Sequence, residues 1–261
     1  QFNIKNLLND LEKQTGITIK LNKNSNWNFY PKIYFSNDDT TIYHKESSLL
    51  ISDSKLEIVK SYWPFSPFYF NINSPLINVN GIEIKNSSIN AIYKNDIITF
   101  DNFEGDLIEG KFKIYGKINL DNKNYFDISG KFKNISLNTI LNQLDIAVWE
   151  RLTVKLSSNN FNINGYAENK NSILKSLSGK AKISGSAYLI TSDEERFGAA
   201  LLSILVEKLP AIAAVSKSVN FIINTYGNVP TSIEGVLDIN EGKISSKNID
   251  IKNDYGKSSL I

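Results

Sequence analysis

Apolar and polar residues alternate along most of this chain with a period of two, the spacing that sends successive side chains to opposite faces of a β-strand. The clearest stretch is Lys111–Leu120, where Phe112, Ile114, Gly116, Ile118 and Leu120 share one face and Lys111, Lys113, Tyr115, Lys117 and Asn119 share the other. The alternation returns at Phe126, Ile128, Gly130 and Phe132, at Leu152, Val154 and Leu156, and at Phe161, Ile163 and Gly165. It returns again at Ala181, Ile183, Gly185, Ala187 and Leu189, and in Ile233–Ile239. Earlier, Ile77 and Val79 lead into Asn80-Gly81, and Ile82 and Ile84 lead out, a strong hairpin signal. Further strands are expected at Ile89–Tyr93 and Ile97–Phe103. Together these stretches predict an antiparallel sheet with one greasy face and one wet face.

The period changes in a few places. Ile4, Leu7, Leu8 and Leu11 follow helical spacing within Phe2–Gln14, and Gly16 stops that helix. Ile17, Ile19 and Leu21 then mark a short strand, Lys32–Phe35 marks another, and Asp38-Asp39 reads as a turn. Leu49–Val59 fits a strand or a short helix. Ser61–Phe70 carries two prolines in an aromatic run, which suits a strand edge or loop. Ser136–Leu144 reads as a short capped helix. The expected organisation is a helix-and-strand module at residues 1–73 and a long antiparallel sheet at 74–261, with continuity between the two left open.

The expected fold class is therefore β-dominated α+β: a long, twisted, groove-like antiparallel sheet with a few helices. Gly110–Leu120 lines up with Gly179–Leu189, sharing both glycines, two lysines, an isoleucine and the final leucine, as expected of a sheet that grows by adding similar strands. A mid-strand glycine on the apolar face permits bending or close approach of another layer. Few helical segments are available to cover so long an apolar face. Either the sheet curls on itself or part of the face stays open, and an open apolar surface marks an interaction site. The groove candidates are Phe112, Ile114, Ile118, Leu120, Phe126, Ile128, Ile183 and Leu189.

One stretch is greasy on nearly every side. Asp193 stands as an N-cap before Glu194 and Glu195, opening an apolar helix expected around 193–224 that Pro210 kinks or ends. Glu207, Lys208, Pro210 and then Ser216-Lys217-Ser218 interrupt it, so its unbroken apolar run is too short to span a bilayer. Two compatible readings follow: a helix packed on the sheet, or a plug in which Phe197, Leu201 and Leu205 enter a lipid-filled groove.

Composition narrows the chemistry. A net charge of +2 over 261 residues argues against a nucleic-acid footprint built on electrostatics. No cysteine is present, which removes disulfides, thiolate metal sites and a cysteine nucleophile. A first residue of Gln1 and the lack of methionine point to a start lying upstream, where a signal peptide or membrane anchor is expected. The single histidine, His44, is read as a surface residue and supports neither a zinc site nor a triad. Asp38-Asp39 and Glu194-Glu195 fit a turn and a cap better than an acid/base pair. No phosphate-cradling glycine loop or nucleophile elbow occurs. No catalytic residue, metal or cofactor is expected. Lys111, Lys113 and Lys117 solvate the outer face or attract anionic lipid headgroups. Tyr62–Phe70 packs as strand or touches a membrane interface.

Gly185–Pro210 followed by Pro230–Gly242 resembles the C-terminal region of the AsmA family. The opening helix, Thr15–Leu21, and Tyr30-Pro31 are similar to that family's start, and strands of the type Gly-x-Phe-x-Ile-x-Gly-x-Ile-x-Leu suit it. The resemblance implies a non-enzymatic protein of the Gram-negative envelope, its body in the periplasm and its N-terminal anchor in the inner membrane. It implies a role in outer-membrane biogenesis through binding or handling of phospholipid, or another envelope lipid, in a hydrophobic groove, with no nucleic-acid partner. The alternative is a structural or assembly factor whose apolar sheet face meets an envelope protein.

Overall fold

Strand after strand joins the edge of one antiparallel sheet in the computed structural model, and the order in space follows the order in the chain over nearly its whole width. The structure describes residues 4–21, 25–44, 48–63, 65–79, 81–121, 123–143, 151–168, 172, 175–192, 225–246 and 248–260. The expected apolar helix around 193–224, with its plug candidates Phe197, Leu201 and Leu205, lies outside the described residues. The chain opens with α1 (Ile4–Thr15), β1 (Thr18–Lys20) and β2 (Ser25–Asn28). Then come β3 (Ile33–His44), β4 (Leu49–Lys60), β5 (Phe68–Val79), β6 (Ile82–Lys94), β7 (Ile97–Leu107) and β8 (Gly110–Asn119). After β9 (Tyr125–Ser136) and α2 (Leu137–Gln143) follow β10 (Leu152–Tyr166), β11 (Ser178–Leu189) and β12 (Thr231–Asn240). β13 (Lys243–Ser246), β14 (Ile249–Asn253) and β15 (Gly256–Leu260) complete the sheet of 15 strands.

Tight turns hold the meander in register. Val79 pairs with Ile82 across Asn80-Gly81, the hairpin foreseen from sequence. Lys94 pairs with Ile97 across Asn95 and Asp96, whose φ values of 50° and 57° give the doubly left-handed turn that matches strand twist. The boundary expected at residue 73 falls inside β5, which pairs with β4 on one side and β6 on the other.

Leu49–Lys60 is strand rather than helix. Asp38-Asp39 is not a chain reversal, which corrects the turn reading. β3 runs through it with a register shift between Asn37 and Thr40, and Asp39 takes a φ of 59°. This is a bulge, and it is one of a row. Asp53 in β4 (φ 52°) and Asn86 in β6 (φ 50°) continue the row, with Pro75 of β5 between them at a place where the ladder is interrupted. A proline is tolerated in this doubly paired strand because a bulge row needs no donor there.

Bulges free backbone carbonyls, and small hydroxyls on the apolar face take them up. Ser54 Oγ donates to the Thr40 carbonyl (2.7 Å), Ser74 Oγ lies within reach of the Ser52 and Leu76 carbonyls (3.1 and 2.8 Å), and Ser87 Oγ donates to the Ser74 carbonyl (3.2 Å). All four hydroxyl residues, Thr40 included, are buried. A polar seam thus crosses the apolar face with its polar groups satisfied, as burial demands.

Two apolar clusters pack around that seam. Leu8 of α1 packs with Phe35, Leu56 and Ile58, while Ile42, Ile51, Ile77, Ile89 and Ala91 form the other. Gly16, at a φ of 71°, ends α1 and donates its amide to the Glu12 carbonyl. His44 is half-buried rather than a surface residue: its ring lies against Gly16, where an added Cβ would stand 2.7 Å from Nε2. The aromatic run divides. Phe68 and Phe70 pack toward the clusters, whereas Tyr62, Trp63 and Phe65 are 56%, 70% and 80% exposed in the loop before β5.

Candidate functional site

Register places every sheet candidate from the sequence on one surface. In β8 and β9, Phe112 faces Phe132, Ile114 faces Gly130, Gly116 faces Ile128 and Ile118 faces Phe126. The rows continue across the sheet: Gly130 to Phe161, Ala181 and Leu237, and Ile128 to Ile163, Gly179 and Ile239. Large side chains alternate with glycine or alanine along the Gly130 row, and in the next row Gly116 and Gly179 flank the facing pair Ile128 and Ile163, so gaps lie beside ridges. Phe112, Ile114, Ile118, Leu120 and Ile128 are half-buried, while Phe126, Ile183 and Leu189 are buried at 7%, 5% and 5% exposure. Leu120 lies just past β8 and ties back through its amide to the Asp96 carbonyl.

The glycines of the sequence repeat have one physical job. A Cβ on Gly110, Gly116, Gly179 or Gly185 would stand 2.0–2.3 Å from a carbonyl oxygen of the adjacent strand. No side chain fits such an approach. Gly116 and Gly179 also hold φ values of 151° and 154°, conformations closed to L side chains. The aligned positions do not share their dihedrals, since Gly116 aligns with Gly185 and Gly110 with Gly179. What repeats is the close approach of backbones under the apolar face.

The two ends of the 193–224 stretch stand side by side on this sheet. Asn228 clasps Thr191: its Nδ2 donates to the Thr191 carbonyl (2.7 Å), its Oδ1 accepts from the Thr191 amide (2.9 Å), and its own amide donates to the Leu189 carbonyl (2.7 Å). Leu189 and Gly227 also form a bridge. Whatever the intervening chain does, it leaves from and returns to the end of β11 beside Leu152, the cross-strand partner of Leu189.

The opposite face is polar and several of its charges are paired. Lys111 meets Asp106 (3.4 Å), Lys113 meets Glu104 (3.3 Å), Lys180 meets Asp238 (3.3 Å) and Lys257 meets Asp250 (2.9 Å). Asn86 donates to Asp106 and Lys111 stands beside it, which together hold that carboxyl below its ordinary range. Lys55, Tyr34 and Asn71 all donate to Glu57 and lower its pKa in the same way, with Lys55 the largest cause. Alternation along the chain puts Lys111, Lys113 and Lys117 on this face. Register adds Lys133 directly opposite Lys111 and Lys131 directly opposite Lys113, a crowding that only strand pairing reveals.

Among the described residues, no group of three or more His, Asp or Glu side chains stands close enough to hold a metal ion, and no helix is long and apolar enough to cross a membrane. No family model, curated protein or solved structure matches this chain.

Proposed function

We propose that the chain is a non-enzymatic lipid-binding protein of the AsmA type, holding the acyl chains of a phospholipid or other envelope lipid on the apolar face of β8–β12. One observation carries the reading. Phe112, Ile114, Ile118 and Ile128 lie in continuous apolar rows yet stay half-buried, with glycine gaps between them. Half-buried apolar ridges leave area that acyl chains can cover, at roughly 25 cal/mol for each Å2 removed from water. The exposed aromatics support contact with a membrane surface. Phe29 and Tyr30 precede β3 and Tyr62 and Trp63 follow β4, and because Ile33 pairs with Lys60 both groups leave the sheet at one end. Tyrosine and tryptophan favour the bilayer–water boundary. A periplasmic location, an inner-membrane anchor and a part in outer-membrane biogenesis rest on the family resemblance.

Native mass spectrometry of the purified chain tests the reading. The expected spectrum shows bound phospholipid released at moderate collision energy. A spectrum of bare protein from cells and after incubation with phospholipid vesicles removes the proposal, and leaves the apolar face to an envelope protein partner.

A further inference from the structure

We infer that the polar face of β8–β11 carries a second, separate binding site, one for a phosphate-bearing ligand. The chain's net charge of +2 conceals a segregation. Strands β8, β9, β10 and β11 hold eight lysines against the single carboxylate of Asp127. All eight lysines are exposed, and carboxylates outside these strands pair with four of them: Asp106 with Lys111, Glu104 with Lys113, Glu109 with Lys155 and Asp238 with Lys180. Asp127 is already engaged, accepting from Asn162 Nδ2 at 2.9 Å.

Pairing makes the segregation sharper. Lys111 stands directly across from Lys133 and Lys113 directly across from Lys131, and like charges opposed on neighbouring strands destabilise a sheet. Asp106 and Glu104 of β7 relieve Lys111 and Lys113 from one side. Among the described residues, Lys131 and Lys133 have no carboxylate partner. They line an open hollow of about 1070 Å3 on this face. The hollow has an acidic end on β7, where both carboxylates are taken, and a basic, hydroxyl-rich end on β9–β11.

At the second end Ser157, Asn159 and Ser184 join the two lysines. Ser157 Oγ accepts from the Asn134 amide at 2.9 Å, which leaves its own proton to donate into the hollow. Two ammonium groups, two hydroxyls and an amide form a donor set suited to a phosphate's oxygens, because hydrogen bonds between ionised partners are about twice as strong as neutral ones. A bound phosphate also cancels the repulsion between the opposed lysines. The lysines and hydroxyls of the site lie on the opposite side of the sheet from the proposed acyl-binding rows, and although Phe112 and Phe132 also border the hollow, variants of the lysines leave those rows unchanged, so either reading can fail without the other.

The source of the phosphate is a free phosphorylated solute or an anionic headgroup, and two probes separate them. Inositol hexakisphosphate is titrated against the full chain by calorimetry, and phosphatidylcholine vesicles with and without phosphatidylglycerol are tested by co-sedimentation. The variants are Lys131→Gln/Lys133→Gln and a charge-matched control, Lys32→Gln/Lys252→Gln, whose residues are exposed and outside the hollow. Binding of the soluble probe, weakened at least tenfold in the hollow variant and little changed in the control, supports the site with a solute as its ligand. Binding of phosphatidylglycerol vesicles alone, with the same contrast between variants, supports it with a headgroup as ligand. A third readout guards against misfolding: without ligand the hollow variant should melt at or slightly above the wild-type temperature, because a repulsion has been removed. No binding to either probe, or equal loss in both variants, overturns the inference.

Discussion

The apolar face is most completely buried in β3 and β4, and across β8–β12 the same face of the same sheet is more open, although Phe70 and Ile72 of β5 are half-buried too. Phe35, Leu56, Ile58 and Ile77 are at most 1% exposed, with Leu8 of α1 packed against the first three. Ile114 and Ile118 occupy equivalent positions on a strand of the same alternation but remain half-buried. The difference lies in what accompanies the large residues. Along β3–β6 the row of bulges is filled by Thr40, Ser54, Ser74 and Ser87, small groups that satisfy the freed carbonyls and let the strands on either side pack solidly. Along β8–β12 the small residues are mostly glycines and alanine set among the large ones, with neighbouring backbone in the space a side chain would fill. Among the described residues there, the serine-filled bulge recurs only once, at Ser158. An alternating pattern thus specifies which face is apolar and leaves open whether it becomes a core or a surface.

Truncation should expose the contrast with the largest effect. Leu56→Ala is expected to cost about 3–4 kcal/mol of unfolding free energy, the transfer loss plus a cavity in a close-packed site. Ile114→Ala should cost less, about 1–2 kcal/mol, since part of its area is already in water. Urea denaturation of both variants checks this, and equal losses erase the distinction between the two regions. Next in size is a backbone test. Gly179→Ala places a Cβ 2.0 Å from the Asn162 carbonyl at a φ of 154°, and should cost about 2 kcal/mol or more, read as a lowered denaturation midpoint with the slope unchanged.

The smallest effect sharpens the comparison on the polar face. In the N-terminal region Glu57 is held by Lys55, Tyr34 and Asn71, whereas lysines stand opposed on β8 and β9. Glu57→Gln should cost roughly 1 kcal/mol at neutral pH. The folded-state pKa of Glu57 is lowered, so its contribution is present above the ordinary glutamate range and is lost as pH falls through the folded value. Stability curves of wild type and variant should therefore converge as pH falls below the ordinary glutamate range. A gap that stays constant as pH falls assigns the effect to packing instead of charge.

The strand pairing was largely legible, because a period of two over long stretches leaves few other structures. Lys111–Ile118 shows its expected alternation residue by residue, with the lysines in solvent. The bulge row was not legible. Asp38-Asp39 has turn chemistry, and only pairing with β4 on one side shows that the chain continues instead of reversing. Ser54, Ser74 and Ser87 look like solvent positions, yet they are buried because each hydroxyl has a carbonyl to meet. Pro75 was the available signal, since a proline inside a strand pattern marks a missing ladder bond. Of the candidate face, its membership was readable from parity. Burial of Phe126, Ile183 and Leu189 beside half-buried Ile114 and Ile118 depends on neighbours far along the chain. The lysine pairs were hidden for the same reason, since Lys131 and Lys133 gain meaning only beside Lys113 and Lys111.

Placing a single charge on the half-buried face tests acyl binding most directly. Ile118 lies between Ile98 and Phe126 in its row and is half-buried. In Ile118→Asp the new carboxylate reaches water, so the thermal midpoint should fall by no more than about 3 °C. The same charge lies in the path of acyl chains, so crosslinking to a phospholipid carrying a diazirine in one acyl chain should be lost. Ile77→Asp, in the sealed region at 1% exposure, should unfold, because an unpaired buried carboxylate costs several kcal/mol. An Ile118→Asp protein that unfolds as Ile77→Asp does, or that keeps its melting point and still crosslinks at the wild-type level, contradicts acyl binding on this face.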